Sequence, residues 1–124
     1  MPARRRTDPV AGRAALTAWL GGDTSRPTTT TAVRFTLEEL AAVAPGNAVE
    51  VRVPPAGAVQ VVEGPRHTRG TPPNVVETDV ETWLALASGR TTWADAVAAG
   101  RVHASGERAD LTAWLPLQAA RPRP

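Results

Sequence analysis

The chain has 124 residues, of which 42% are hydrophobic, and its 14 basic and 12 acidic residues leave a net charge of +2 at pH 7. This length and apolar fraction predict one domain with a modest core, and the absence of cysteine excludes disulfides and thiolate sites. No apolar run approaches the ~20 residues of a membrane-spanning helix, so we expect a cytoplasmic protein without stable membrane insertion.

The N-terminal segment is predicted to be a short basic tail followed by a helix. Residues 1–6 carry three arginines that we expect to be solvated, and we predict no nucleic-acid partner. Asp8 and Pro9 have the form of a helix start, since Asp8 can cap the first turn and Pro9 suits the first helical position. Gly21 and Gly22 are expected to end this helix.

A second helix is predicted over Ala32–Ala44, after a polar linker at Gly22–Pro27. Its start is open to more than one interpretation. The threonines Thr28–Thr31 either enter the helix or are extended. A further start is possible at Thr36, which forms a capping-box pattern with Glu39.

Strands are predicted in the middle and near the end of the chain. Ala48–Val53 alternates valine with charged residues, which is typical of a strand with one buried face. The segment Pro54–Gly57 breaks it and connects it to a second strand at Ala58–Glu63. Asn74–Thr78 and Val102–Ser105 are predicted as the third and fourth strands, and a fifth is not placed.

Three further helices are predicted in the C-terminal half. The first lies between Asp79, a good N-cap, and Gly89, which tolerates the left-handed turn that ends many helices. The second starts at Thr91 or Thr92. A last helix is predicted over Ala109–Leu117, because its apolar residues recur at helical spacing.

The spacing of these elements and of their glycines is similar to that of a known superfamily. A helix, a Gly–Arg pair, a short helix, a second Gly–Arg pair, a strand, a glycine and a final apolar segment follow one another. This order resembles the C-terminal half of the sterol carrier protein 2-like superfamily. The segment VEVRVPPAGAVQVVEGPRHTRGTPPNVVETD is typical of a small actinobacterial group of that kind. The residues that carry the resemblance are Thr78–Arg90, Thr92–Val102 and Ala104–Leu117, with Gly89-Arg90, Gly100-Arg101 and Gly106 at the matching places.

The resemblance implies an α+β fold in which helices cover one face of a mixed, mainly antiparallel sheet of about five strands and enclose an apolar cavity. It also implies one domain at residues 7–118, with flexible tails at 1–6 and 119–124. Core packing is the alternative role for each of the tryptophans in the implied cavity lining. That lining consists of Trp83, Leu84, Trp93, Val97, Leu111, Trp114 and Leu115.

A basic loop is the strongest polar candidate in the sequence. Arg66, His67 and Arg69 lie within four positions, between prolines and glycines that restrict the backbone. Two guanidiniums and an imidazole could bind a carboxylate or phosphate headgroup at the mouth of an apolar cavity. Alternatively, the arginines are solvated or pair with Glu63 or Glu77.

The function implied is non-catalytic binding or transfer of a hydrophobic small molecule or lipid, such as a fatty acyl chain or isoprenoid. Two alternatives stay open: a ligand-free protein-interaction module, and an accessory domain related to mycothiol-dependent maleylpyruvate isomerases. The helical metal-binding bundle of those enzymes is not recognisable in this sequence. We expect no catalytic residue, metal or cofactor, because His67 and His103 lack metal-ligand spacing.

Overall fold

The computed structural model describes residues 6–64 and 74–120. Within these ranges two α-helices precede a four-stranded sheet in the chain, and two more lie between its third and fourth strands. None of the helices described is both long and apolar enough to cross a lipid bilayer. In chain order the elements are α1 (Pro9–Leu20), α2 (Arg26–Val43), β1 (Val49–Val53), β2 (Gly57–Val61), β3 (Asn74–Thr78), α3 (Val80–Ser88), α4 (Trp93–Ala98), β4 (Val102–Ser105) and a 3-10 turn, Gln118–Ala120.

The sheet is mixed and mainly antiparallel, with the strand order β2-β1-β3-β4. β1 pairs antiparallel with β2 and parallel with β3, and β3 pairs antiparallel with β4. The predicted α+β class and mixed sheet are therefore confirmed. The described part of the chain contains four strands, so a fifth strand stays a prediction.

One face of the sheet is buried and the other is partly exposed. In β1, Val49, Val51 and Val53 are fully buried, while Glu50 and Arg52 point to the opposite face, are partly exposed and pair with each other. This arrangement confirms the alternation predicted for the first strand, because successive side chains of a strand point to opposite faces.

The core lies between the buried face of the sheet and the helices that contact one another above it. α2 is the central helix, since it packs against α1, α3 and β2. The largest side chains of the core have less than 2% of their surface exposed; they include Trp83, Phe35, Leu37, Leu40, Leu84, Leu86 and Leu111.

Several predicted helix ends are confirmed by their hydrogen bonds. The Asp8 carboxylate accepts from the amide of Ala11 at 3.2 Å and starts α1. The Asp79 carboxylate accepts from the amide of Thr82 at 2.7 Å and starts α3, which ends at Gly89 with φ of +86°. These caps satisfy amides that a helix leaves without an intrahelical partner.

The start of α2 differs from the predicted one. The helix begins at Arg26, includes the run of threonines, and passes through Thr36 without a break. Pro27 suits the first turn of a helix, where a missing N–H costs little. The hydroxyl of Thr29 donates to the carbonyl of Ser25 at 3.0 Å, which keeps this hydroxyl bonded within the helix. The alternative in which Thr28–Thr31 enter the helix is therefore confirmed, and the other possible start, at Thr36, is wrong.

The predicted last helix over Ala109–Leu117 is also wrong, because this segment forms only a turn. The Asp110 carboxylate accepts from the amide of Thr112 at 2.9 Å, a local bond that competes with helix formation. Pro116 restricts the residue before it to extended conformations. The chain then docks on α3 through the Leu117 amide, which donates to the Ala87 carbonyl at 2.9 Å.

The described fold continues to Ala120, two positions beyond the domain boundary expected from the sequence. Ala120 has only 2% of its surface exposed. A guanidinium nitrogen of Arg13 on α1 donates to the Ala119 carbonyl at 2.8 Å. These contacts fix Ala119 and Ala120, which the sequence analysis assigned to a tail, against the first helix.

We expect Gly12→Ala to lower the free energy of unfolding by about 1–2 kcal/mol. A Cβ atom at Gly12 would lie 2.5 Å from the Phe35 ring, and such overpacking costs about 1–3 kcal/mol. That cost exceeds the ~0.5–1 kcal/mol that alanine gains over glycine within a helix. Urea unfolding followed by circular dichroism measures the difference.

Gly21→Ala is the matched control for this prediction. Gly21 ends the same helix, has φ of −84°, and a Cβ there would lie 3.5 Å from its nearest neighbours. We expect its stability to stay within about 0.5 kcal/mol of wild type. Greater stability of Gly12→Ala than of wild type would contradict the close approach of α1 and α2.

Candidate functional site

The interior of the fold is organised by a buried tryptophan with a single polar contact. Trp83 on α3 has no exposed surface, and its indole nitrogen donates to the hydroxyl oxygen of Thr36 on α2 at 2.8 Å. The same hydroxyl lies 2.8 Å from the Ala32 carbonyl, to which it donates. In the described ranges, every buried side-chain nitrogen or oxygen has a hydrogen-bond partner.

The predicted lining residues lie partly in the core and partly at its edge. Trp83, Leu84 and Leu111 are fully buried, and Val97 has 44% of its surface exposed. The others, Trp93, Trp114 and Leu115, are partly buried and pack against the core. None of the seven lines the three pockets described below, so their role in ligand binding stays a prediction.

The predicted headgroup residues Arg66, His67 and Arg69 lie outside the described residues, so the role of this loop also stays a prediction.

The largest of the three described pockets has a volume of about 620 Å³. It lies where the end of α1, the start of α2, the β1–β2 turn and both ends of α3 meet, and we call it the helix-end pocket. Its volume falls within the ~300–1,000 Å³ typical of small-molecule sites. The lining residues are Trp19, Gly22, Thr24, Arg26, Thr29, Thr30, Pro55, Ala56, Val80, Glu81 and Arg90.

The helix-end pocket has an apolar wall formed by residues that the fold holds firmly. Trp19 and Ala56 have only 6% and 4% of their surface exposed, and Val80 packs partly buried against the core. The turn that carries Ala56 is fixed to α2, because the Nε of Arg34 donates to the Ala56 carbonyl at 2.9 Å. The base of the pocket is therefore firmly held, and Trp19 and Ala56 expose only a small part of their own surface there.

Arg90 crosses this wall and joins the end of α3 to the end of α1. Its guanidinium carbon lies 5.0 Å from the centre of the Trp19 ring, a distance at which a cation is attracted to the aromatic face. One of its nitrogens donates to the Leu20 carbonyl at 2.6 Å. The guanidinium is thus held in place at the rim of the pocket.

The other two charges of the lining are Arg26 and Glu81, and in residues 6–64 and 74–120 neither of them forms an ion pair. Glu81 lies in the first turn of α3, where a carboxylate is favoured by the helix dipole. Beside the rim, hydrogen bonds from Ser25 and Thr28 lower the pKa of Asp23, so its carboxylate stays charged to a lower pH than an ordinary aspartate. The linker between α1 and α2 is ordered by these bonds.

Two smaller pockets, of about 340 and 440 Å³, share Arg101. The larger of these two also contains Glu77, Asp79 and His103. No group of three or more potential ligand side chains could hold a metal ion in the part of the chain that the structure describes.

Comparison with known protein families shows to which family the chain belongs. The profile of a family described as bacterial SCP ortholog matches residues 25–117. The chain belongs to this sterol carrier protein-like family. No curated protein matches the chain.

Membership of the sterol carrier protein-like family confirms the resemblance inferred from the glycine-punctuated C-terminal segment. The match begins at Ser25, the residue before α2, and ends at Leu117. Most of the helix-end pocket therefore comes from the family region. Trp19, Gly22 and Thr24 precede this region, so α1 adds an aromatic side chain to a site built by family elements.

Sequence reasoning missed the two residues that meet at this site. Trp19 was assigned to no site, and Arg90 was used only as part of a Gly–Arg pair. The local sequence carries one signal for each residue: a tryptophan two positions before Gly21, and an arginine that follows a helix-ending glycine. Neither signal reveals that the two helix ends are adjacent, because that depends on long-range packing.

We expect Thr36→Val to destabilise the fold mainly through Trp83. The valine leaves the buried indole N–H without a partner, which costs about 1–3 kcal/mol, while the volume at this position stays nearly constant. In the Trp83→Phe background there is no such donor, so the same substitution should cost less. Urea unfolding of wild type, both single variants and the double variant gives the coupling energy.

Thr36→Ser, which keeps the hydroxyl, is the control and should retain the coupling to Trp83. An equal cost of Thr36→Val in wild type and in the Trp83→Phe background would show that the hydrogen bond contributes nothing to stability.

Proposed function

We propose that this protein binds an apolar or amphipathic small molecule of lipid type in the helix-end pocket, without catalysing a reaction on it. Membership of the sterol carrier protein-like family supports ligand binding of this general kind. The observation that carries the proposal is the 620 Å³ pocket with Trp19, Ala56 and Val80 in its wall.

The wall can supply binding energy through the hydrophobic effect. Each 100 Å² of apolar ligand surface removed from water contributes about 2.5 kcal/mol. Part of that gain is lost to the restriction of ligand motion, and less is lost where the protein surface is already fixed. The hydrogen bond from Arg34 to the Ala56 carbonyl and the cation–π contact of Arg90 with Trp19 support such a fixed surface.

The polar groups of the pocket support recognition and give no reason to propose a reaction. The lining side chains that carry polar atoms are threonines, two arginines, Glu81 and the tryptophan indole. The histidine described in the structure, His103, borders a different pocket. Non-catalytic binding is therefore the function we propose, and a cytoplasmic location stays a prediction.

We expect Thr30→Phe to block the pocket and to weaken ligand binding at least tenfold. Thr30 lies on α2 in the lining, and a phenylalanine ring there would occupy space that the ligand needs. N-Phenyl-1-naphthylamine is a suitable probe, because it is neutral, apolar and more fluorescent when it is removed from water. Fluorescence titration of the purified full chain gives its dissociation constant.

Thr17→Phe is the matched control, since Thr17 is exposed on α1 and lies outside the pocket lining. We expect this variant to bind the probe like wild type. Equal binding by Thr30→Phe and wild type would place the probe elsewhere in the protein. If wild type binds neither this probe nor an anionic amphiphile such as octanoate, the proposed function is contradicted and a ligand-free interaction module is the better account.

A further inference from the structure

We propose that the helix-end pocket is selective for amphipathic ligands with an oxyanion at one end, either a carboxylate or a phosphate, and that Arg90 and Arg26 bind this group. The inference rests on the proposed function and adds to it the chemical class of the ligand. It arises from the placement of charge on the rim relative to the apolar wall.

Arg90 is prepared to bind an anion before the ligand arrives. A guanidinium has five N–H donors, and the bond to the Leu20 carbonyl uses one of its nitrogens. The contact with the Trp19 ring and the bond to Leu20 restrict the side chain, so little of its freedom is lost when the remaining donors bind an oxyanion. Hydrogen bonds of this charged type are stronger than those between neutral groups.

Arg26 supplies a second positive charge from another element. It is the first residue of α2, and its side chain is exposed and has no hydrogen-bond or ion-pair partner among the described residues. The amide end of α2 adds to the positive potential on the same side of the pocket. An anion at the rim would therefore meet one fixed and one adjustable guanidinium.

Glu81 is the negative charge within the lining, so its removal tests whether the bound ligand is an anion. Its carboxylate is part of the same lining, yet the structure records no ion pair between it and Arg26 or Arg90 in the described ranges. The three charged side chains of the lining sum to +1, and the Asp23 carboxylate beside the rim brings the local sum to zero. We therefore expect Glu81 to weaken the binding of an anionic ligand, so its removal should strengthen that binding.

The apolar part of the ligand would lie on the wall formed by Trp19, Ala56 and Val80. A neutral, wholly apolar ligand could use this wall but would leave the guanidiniums to water. An amphipathic anion uses both surfaces at once, which is the reason that the geometry favours this class.

Isothermal titration calorimetry of the full chain with octanoate, octyl phosphate and octan-1-ol tests the inference. The three probes share an alkyl chain and differ in the head group. We expect Arg90→Gln to weaken the binding of the better anion about tenfold or more. Arg26→Gln should weaken it several-fold, and Glu81→Gln should strengthen it, while octan-1-ol binding should change less than twofold in all three variants.

Arg101→Gln is the control, because Arg101 is exposed and lines only the two smaller pockets. If octanoate or octyl phosphate binds more tightly than octan-1-ol and responds to Arg90, Arg26 and Glu81 as stated, the inference holds. The tighter of the two anions then identifies the head group.

Equal binding of all three probes, unaffected by the charge variants, would overturn the selectivity and leave the proposed function intact. Loss of anion binding in Arg101→Gln but not in Arg90→Gln would show that the anion site lies near Arg101, and this result would also overturn the inference. Failure of wild type to bind any of the three alkyl probes or N-phenyl-1-naphthylamine would instead count against the proposed function. Arg26→Gln removes no contact described in the fold, so it stays informative even if Arg90→Gln is unstable.

Discussion

The hydrogen bond between the Trp83 indole and the Thr36 hydroxyl is the constraint on which the interior depends. An indole N–H removed from water needs a partner, and the partner here belongs to the central helix α2. Satisfying it fixes α3 against α2 at one register and brings Leu84 into the core. Trp83 and Leu84 are therefore fully buried where these two helices pack.

The largest of the three described pockets lies at the ends of the helices. At these helix ends the chain forms a concave surface. Gly21 and Gly22 end α1 without bulky side chains, and the β1–β2 turn is hydrogen-bonded to α2. Arg90 joins two of these ends by its contacts with Trp19 and the Leu20 carbonyl. The same contacts that stabilise the fold at this point thus also hold a cation beside an apolar wall.

Local signals predicted much of the fold and little of the site. Alternating valines in β1 and the cap at Asp79 act within a few residues, so the sequence reveals them directly. The predicted last helix does not form, because the local bond at Asp110 and the restriction imposed by Pro116 outweigh the helical spacing of its apolar residues. Arg90 and Trp19 are far apart in the sequence, and only the packing of α1 beside α2 and α3 brings them together. The predicted lining was chosen for its large apolar side chains at helical spacing. Trp83 fits that description and is fully buried in the core, so the pattern does not distinguish a cavity wall from core packing.

The central claim is that ligands bind at the helix ends and leave the Trp83 core closed. The most direct measurement is the ¹H–¹⁵N spectrum of the four indole groups during titration with N-phenyl-1-naphthylamine, assigned with single Trp→Phe variants. The account predicts that the Trp19 resonance shifts, while the Trp83 resonance stays in place and exchanges slowly with solvent. A shift of Trp83 without one of Trp19 would contradict it and place the ligand between the sheet and the helices.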